Sequence, residues 1–145
     1  MSLLWAVFST VLSALLALAA VIDHQTGRIP DVVPAVLALT GAAMLFLTGA
    51  QWLPFVVTSA AIVALLVTVR ARNRPIPIGE GDLLLIAAAG MWLGPIHLAW
   101  AILVSTAAHL LGLLVQRFAG GPSPTLAPFA PAMFFGIFCV WALSR

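Results

Sequence analysis

The segment LLWAVFSTVLSALLALAAVI, residues 3–22, decides the fold of this 145-residue chain. It is uncharged and mostly apolar, and its length matches the roughly 20 residues that an α-helix needs to cross a bilayer. Ala17-Leu18-Ala19 resembles a signal-peptide cleavage site, but nothing from Met1 to Ile22 is charged, so the basic start of a secretion signal is missing. We therefore predict a retained first transmembrane helix.

The composition of the whole chain also indicates a membrane protein. It is 63% hydrophobic and 7% charged, whereas a soluble domain is typically about half apolar and about a quarter charged. The small excess of arginine over acidic residues cannot form a basic face, so it predicts membrane orientation and no nucleic-acid partner. Cys139 is the single cysteine, which excludes an intramolecular disulfide and a CxxC zinc site.

Polar breaks divide the chain into six predicted spans, which would form one all-α membrane bundle and one domain over residues 1–145. Gly94-Pro95 separates the fourth span from the fifth, and Pro128 and Pro131 are expected in the first turns of the sixth. Tryptophans are expected at the membrane interface or facing lipid, and His109 is expected to pack as a polar group between helices. The predicted spans are 3–22, 32–47, 52–69, 82–93, 96–115 and 126–143.

The arginines predict how the bundle is oriented. The odd-numbered loops carry all but one of them, and the other side has Arg145 alone. Cytoplasmic loops are enriched in Lys and Arg, so the odd loops are predicted to be cytoplasmic and both termini to face outward. The odd-loop arginines are Arg28, Arg70, Arg72, Arg74 and Arg117.

Two aspartates stand at span ends on the predicted cytoplasmic side. Asp23 ends the first span and Asp82 begins the fourth. Ionisable groups at membrane depth are costly, which favours a functional hypothesis, although each aspartate could simply be a solvated residue at a helix end. Gly79 and Gly81 permit a sharp turn and a close helix approach, which would aim Asp82 into the bundle.

Three segments of the chain together resemble the type IV prepilin peptidases, a family of intramembrane aspartic proteases with a GxGD motif. The first is Asp23 with its polar continuation to Ile29-Pro30-Asp31. The second is Gly79-Glu80-Gly81-Asp82 with its continuation to Gly94. The third is Ala127-Pro128-Phe129-Ala130-Pro131 with Gly136.

The resemblance implies cleavage of the basic leader of prepilins or pseudopilins at the cytoplasmic face of the bacterial inner membrane, with neither a metal nor an organic cofactor. Lipid and a pilus or secretion assembly machinery are the other implied partners. Asp23 and Asp82 would be catalytic, with motif support from Gly79, Gly81, Ile29 and Pro30. Helix dipoles favour Asp82 as the starting base and Asp23 as the acid. Asp31 and Glu80 would contact the basic leader, or else are ordinary interfacial charges.

The chain departs from the family pattern at one position and leaves other readings open. Leu84 stands where the family often has lysine. Long members carry an N-terminal cysteine-rich region linked to N-methylation. The chain resembles the short, peptidase-only members, so methylation is not expected. One alternative is a catalytically silent scaffold or binding protein for pilus assembly. Another is a transporter or channel subunit, which predicts Asp23 and Asp82 buried in mid-span.

Overall fold

The structure, a computed structural model, describes residues 3–72, 79–119 and 128–144. Sequence predictions that rest on Arg74, Ala127 and Arg145 lie outside the described residues. The same holds for the part of the polar loop at 73–78 and for residues 120–127.

Within these ranges the chain is helical and contains five helices, not the predicted six. Three of them, α1, α3 and α4, are long and apolar enough to cross a membrane, whereas α2 and α5 are shorter apolar helices. The predicted all-α fold is therefore confirmed, and the long apolar helices agree with a membrane protein. The helices are α1 (Leu3–Thr26), α2 (Val32–Thr48), α3 (Leu53–Ala71), α4 (Glu80–Phe118) and α5 (Ala130–Leu143).

The count differs because the predicted fourth and fifth spans form one element, α4. The break predicted at Gly94-Pro95 is present as a kink, since Gly94 has φ 68° and ψ −178° and is the residue of α4 with non-helical angles. This left-handed φ favours glycine. The ring of Phe55 on α3 would lie 3.2 Å from an added Cβ, so a side chain at position 94 also lacks space.

The kink reverses the direction of the chain. A straight helix of this length would be about 58 Å long, and Asp82 and His109 would lie about 40 Å apart. Instead, Asp82 shares a cleft with Asp23, and His109 packs edge-on against Phe129, next to the amide that hydrogen-bonds Asp23. Residues 80–93 and 95–118 therefore run as an antiparallel pair.

The end of the first helix and the start of the last helix also differ from the prediction. The first helix continues past Ile22 to Thr26, so Asp23 lies in its last turn. The helix stops at Gly27, where φ is 65° and the N–H donates to the Asp23 carbonyl at 2.7 Å, a common helix termination. The last helix begins at Ala130, so Pro128 precedes it while Pro131 lies in its first turn as predicted.

Large aromatic rings fill the end of the bundle away from the aspartates. Trp92 is fully buried and meets Trp141 and Phe8 edge-on, with ring centroids 5.4 and 6.0 Å away, and Trp5 lies 5.7 Å from Trp141. We call these four residues the aromatic cluster. The expectation that the tryptophans lie at the interface or face lipid is wrong for two of them.

Internal hydrogen-bond partners explain why these two indoles can be buried. The Trp92 Nε1–H donates to the Leu37 carbonyl at 2.8 Å, and the Trp141 Nε1–H donates to Ser9 Oγ at 3.0 Å. A buried indole N–H usually finds such a partner. Trp52 and Trp100, in contrast, are exposed.

Candidate active site

A cleft of about 310 Å³ opens where the end of α1, the loop after it and the start of α4 meet. The whole chain has four acidic residues, and all four line this cleft. Both predicted catalytic aspartates and both predicted substrate-contact residues are therefore brought together. The lining residues are Asp23, Gly27, Arg28, Ile29, Asp31, Gly79, Glu80, Gly81 and Asp82.

Asp23 is the more buried of the two aspartates, with 7% of its surface exposed. One carboxylate oxygen, Oδ2, accepts a hydrogen bond of 3.1 Å from the backbone N–H of Ala130. Ala130 is the first residue of α5, so its N–H is among those that have no partner within the helix. Asp23 is thus held between the C-terminus of its own helix and the N-terminus of the last one.

Asp82 lies in the first turn of α4, facing Asp23 across the cleft. It is half-buried, and the two carboxylates interact electrostatically. The prediction that the glycine turn aims Asp82 at the bundle agrees with this position. The transporter hypothesis required both acids in mid-span, whereas they occupy a last turn and a first turn.

The two glycines of the segment Gly79-Glu80-Gly81-Asp82, the GEGD segment, allow close packing of the groups that surround the cleft. A Cβ on Gly81 would lie 3.1 Å from the Ile29 Cβ and 3.2 Å from the Ile29 carbonyl oxygen. A Cβ on Gly79 would lie 3.2 Å from Oδ2 of Asp82. Gly81 therefore lets the start of α4 contact the loop that follows α1, and Gly79 leaves space beside the Asp82 carboxylate.

Ile29 and Pro30 connect this loop to the bundle. Ile29 is buried in the hydrophobic core, and the Pro30 carbonyl accepts from the Val33 N–H at 3.0 Å at the start of α2. These two motif residues thus fix the connection between α1 and α2, and Ile29 lies beside Gly81 of the GEGD segment.

Asp31 and Glu80 are exposed at the rim of the cleft. Asp31 precedes α2 and makes no side-chain capping bond there. Glu80 lies 3.7 Å from the Arg70 guanidinium at the end of α3, and both side chains are largely exposed. Exposed pairs of this kind contribute little to stability, so Glu80 remains accessible to a ligand.

Sequence reasoning missed the Ala130 amide and Arg70 as neighbours of the aspartate cleft. The signal for the first was Pro131, because a proline after a helix start marks where unpaired N–H groups begin. The histidines take no part in the cleft: His24 is exposed, the His97 ring approaches the Leu93 carbonyl at 3.3 Å, and His109 packs on Phe129 as a helix-packing group.

The apolar helices and the acidic cleft at the helix ends together describe a polytopic membrane protein with a polar site at one end of its bundle. Among residues 3–72, 79–119 and 128–144, no group of three or more His, Cys, Asp or Glu is arranged to hold a metal ion. The chain belongs to the type IV leader peptidase family, whose sequence profile matches residues 10–116.

A curated relative from Escherichia coli O78:H11 (strain H10407 / ETEC) bears the name type 4 prepilin-like proteins leader peptide-processing enzyme. It is 29% identical over 141 residues, and the match covers 91% of this chain and 50% of the relative. The chain thus spans half the length of that relative. No solved structure shows a significant match.

Proposed function

We propose that this protein is a prepilin leader peptidase, an aspartic endopeptidase that removes the basic leader of type IV pilin-like precursors. The observation that carries the proposal is the shared cleft of Asp23 and Asp82, two carboxylates from helices far apart in sequence. Membership of the leader peptidase family supports the same reaction.

The chemistry follows from two carboxyl groups that interact. Because two adjacent negative charges are unfavourable, the pair holds one proton between them. The ionised carboxylate takes a proton from a water molecule, which attacks the scissile peptide carbonyl. The protonated carboxyl polarises that carbonyl and then donates to the leaving amine. The reaction needs neither a metal nor an organic cofactor.

The start of α5 changes the proposed division of roles. The sequence-based assignment used the dipoles of α1 and α4 alone and made Asp82 the base. The Ala130 N–H donates a hydrogen bond to Oδ2 of Asp23, and a hydrogen bond to the charged form of a carboxyl favours that form. The N-terminus of α5 also offsets the unfavourable dipole of α1 at this position. We therefore assign the ionised, water-activating role to Asp23 and the proton to Asp82, as properties of a coupled pair.

The charges around the cleft favour a basic substrate. Asp31 and Glu80 add two exposed carboxylates at its rim, against one lining arginine, Arg28. We propose that they contact the basic leader. The arginines at this end of the bundle, Arg28 and Arg70, support a cytoplasmic location of the cleft in the inner membrane.

The proposal is tested with purified protein in detergent or proteoliposomes and a prepilin that carries a basic leader. We expect a smaller pilin product, no cleavage by Asp23→Asn or Asp82→Asn, and an increased KM with unchanged kcat for Asp31→Asn. Cleavage at the wild-type rate by either of the first two variants contradicts the two-aspartate mechanism. Binding of prepilin by the wild-type protein without cleavage favours the silent scaffold.

A further inference from the structure

The first turn of α5 directs a single backbone donor at Asp23. Pro131 has no N–H, and the Met133 N–H donates to the Phe129 carbonyl at 3.1 Å. The Ala130 N–H instead donates to Asp23 Oδ2. Since Asp23 is 93% buried, this bond constrains the carboxylate in a place with little water to compete for it.

The depth of α5 in the bundle depends on Gly136. A Cβ at this position would lie 2.6 Å from the Ala101 carbonyl oxygen and 2.8 Å from the Ser105 backbone nitrogen, and would overlap Ser105 Oγ. The first two atoms belong to the backbone of α4 and cannot turn aside as a side chain could. Gly136 therefore lets α5 lie directly against α4.

This contact and the Asp23 bond belong to one rigid element. Ala130 and Gly136 are separated by about 9 Å along the helix axis. A displacement of α5 away from α4 at Gly136 therefore also moves the Ala130 N–H relative to Asp23. Misplacement of a catalytic group by about 1 Å can reduce a rate by about 10²-fold.

We infer that α5 positions the active site: the Ala130 N–H fixes the Asp23 carboxylate, and Gly136 is a positioning residue that sets the depth of the helix. The catalytic consequence rests on the proposed peptidase function, whereas the hydrogen bond and the glycine contact do not.

The bond itself can be observed without any enzymatic activity. The chain contains two Phe-Ala peptide bonds, Phe118-Ala119 and Phe129-Ala130. Carbonyl-¹³C phenylalanine combined with ¹⁵N alanine therefore isolates two amides by NMR in detergent micelles. The Ala119 N–H, which donates to the Val115 carbonyl at 2.9 Å, serves as the internal reference.

Hydrogen exchange and the chemical shift of the Ala130 amide are then compared among variants. We expect Asp23→Ala and Gly136→Ala each to accelerate Ala130 exchange about tenfold or more relative to Ala119. Gly112→Ala is the matched control, because an added Cβ there meets nothing within 4 Å, and it should leave both amides unchanged. An Ala130 amide that is insensitive to Asp23→Ala overturns the inference, whatever the protein cleaves.

Kinetics then separate positioning from loss of stability. Gly41→Ala is the stability control, because its Cβ would lie 2.8 Å from Trp92 Nε1, at the α2–α4 contact. For the folded fraction, we expect Gly136→Ala to lower kcat about tenfold or more with KM within twofold, and Gly41→Ala to leave kcat unchanged. Adding Ser105→Ala to Gly136→Ala removes the overlapping hydroxyl and should restore part of kcat.

The outcomes distinguish the two proposals. Cleavage by the wild-type protein with an unaltered kcat in Gly136→Ala overturns the positioning role and leaves the peptidase intact. Absence of wild-type cleavage with the expected amide behaviour contradicts the peptidase and supports the hydrogen bond.

Discussion

The two ends of the bundle are built in opposite ways. At the cleft, glycines bring backbone segments together and acidic side chains face a common space. At the other end, the aromatic cluster fills the interior, and its two buried indoles donate to Leu37 and Ser9. Asp82 and Trp92 stand on the same helix, about 15 Å apart. The proposed catalytic residues and the aromatic packing are therefore separated along α4, and substitutions at each end should affect different measurements.

The largest expected effect is at the carboxylates. Asp23→Asn and Asp82→Asn should each lower kcat by about 10²–10⁴-fold, the usual contribution of a general acid or base. Thermal unfolding in detergent should change little for Asp82→Asn, since this side chain is only half-buried. A peptidase assay on folded protein measures the change in kcat, and thermal denaturation in detergent measures the change in stability. Activity near the wild-type level in either variant would show that the carboxylates of the cleft are not required for cleavage.

A smaller loss is expected from Gly81→Ala. The added Cβ would lie 3.1 Å from the Ile29 Cβ, so the start of α4 must shift away from the loop after Asp23. We expect kcat to fall about tenfold, as a small displacement of Asp82 would produce. Gly112→Ala, at an open helical position, is the control and should retain full activity. Equal activity of the two variants would show that the close approach is dispensable.

At the end of the bundle that holds the aromatic cluster, substitutions should lower stability and leave kcat unchanged. Trp92→Phe removes the donor to the Leu37 carbonyl and leaves unfilled volume, which should lower the free energy of unfolding by about 1–3 kcal/mol. The kcat of the folded fraction should not change. Trp100→Phe, at an exposed position, should shift stability by no more than about 0.5 kcal/mol. A fall in kcat for Trp92→Phe without loss of stability would mean that the two ends are coupled.

The smallest effect is expected at the ion pair beside the cleft. Arg70 and Glu80 are 3.7 Å apart and largely exposed, so Arg70→Gln should change the free energy of unfolding by less than about 1 kcal/mol. Glu80→Gln should raise KM for a prepilin with a basic leader about two- to fivefold, because a charge-assisted contact is removed. If both variants raise KM equally, the pair itself positions Glu80.

Hydropathy and turn residues predicted most of the helix positions because each depends on a short stretch of sequence. The predicted start of α2 at residue 32 and the predicted break at Gly94-Pro95 both agree with the structure, in which the break separates the two antiparallel halves of α4. The proximity of Asp23 and Asp82 followed from the family motifs and from their common side of the membrane. Their catalytic roles remain a prediction.

The remaining features depend on contacts between distant segments. Pro131 indicates where the unpaired N–H groups of α5 begin, but the bond of the Ala130 N–H to Asp23 is visible only once α5 is packed against α1. Trp92 and Trp141 have the residue type of a membrane interface, yet internal acceptors allow their burial. Hydropathy predicts how deep in the membrane a tryptophan lies, but it cannot identify a hydrogen-bond acceptor for the indole on another helix.

The reversal at Gly94 has a consequence for membrane insertion. Residues 83–116 contain no Asp, Glu, Lys or Arg, and the two halves of α4 run antiparallel across the tight turn. They can enter the bilayer together as a helical hairpin whose tip carries no formal charge. No charged loop then has to cross the hydrocarbon core between them, and the acidic and basic residues at both ends of the hairpin stay on the side from which it was inserted.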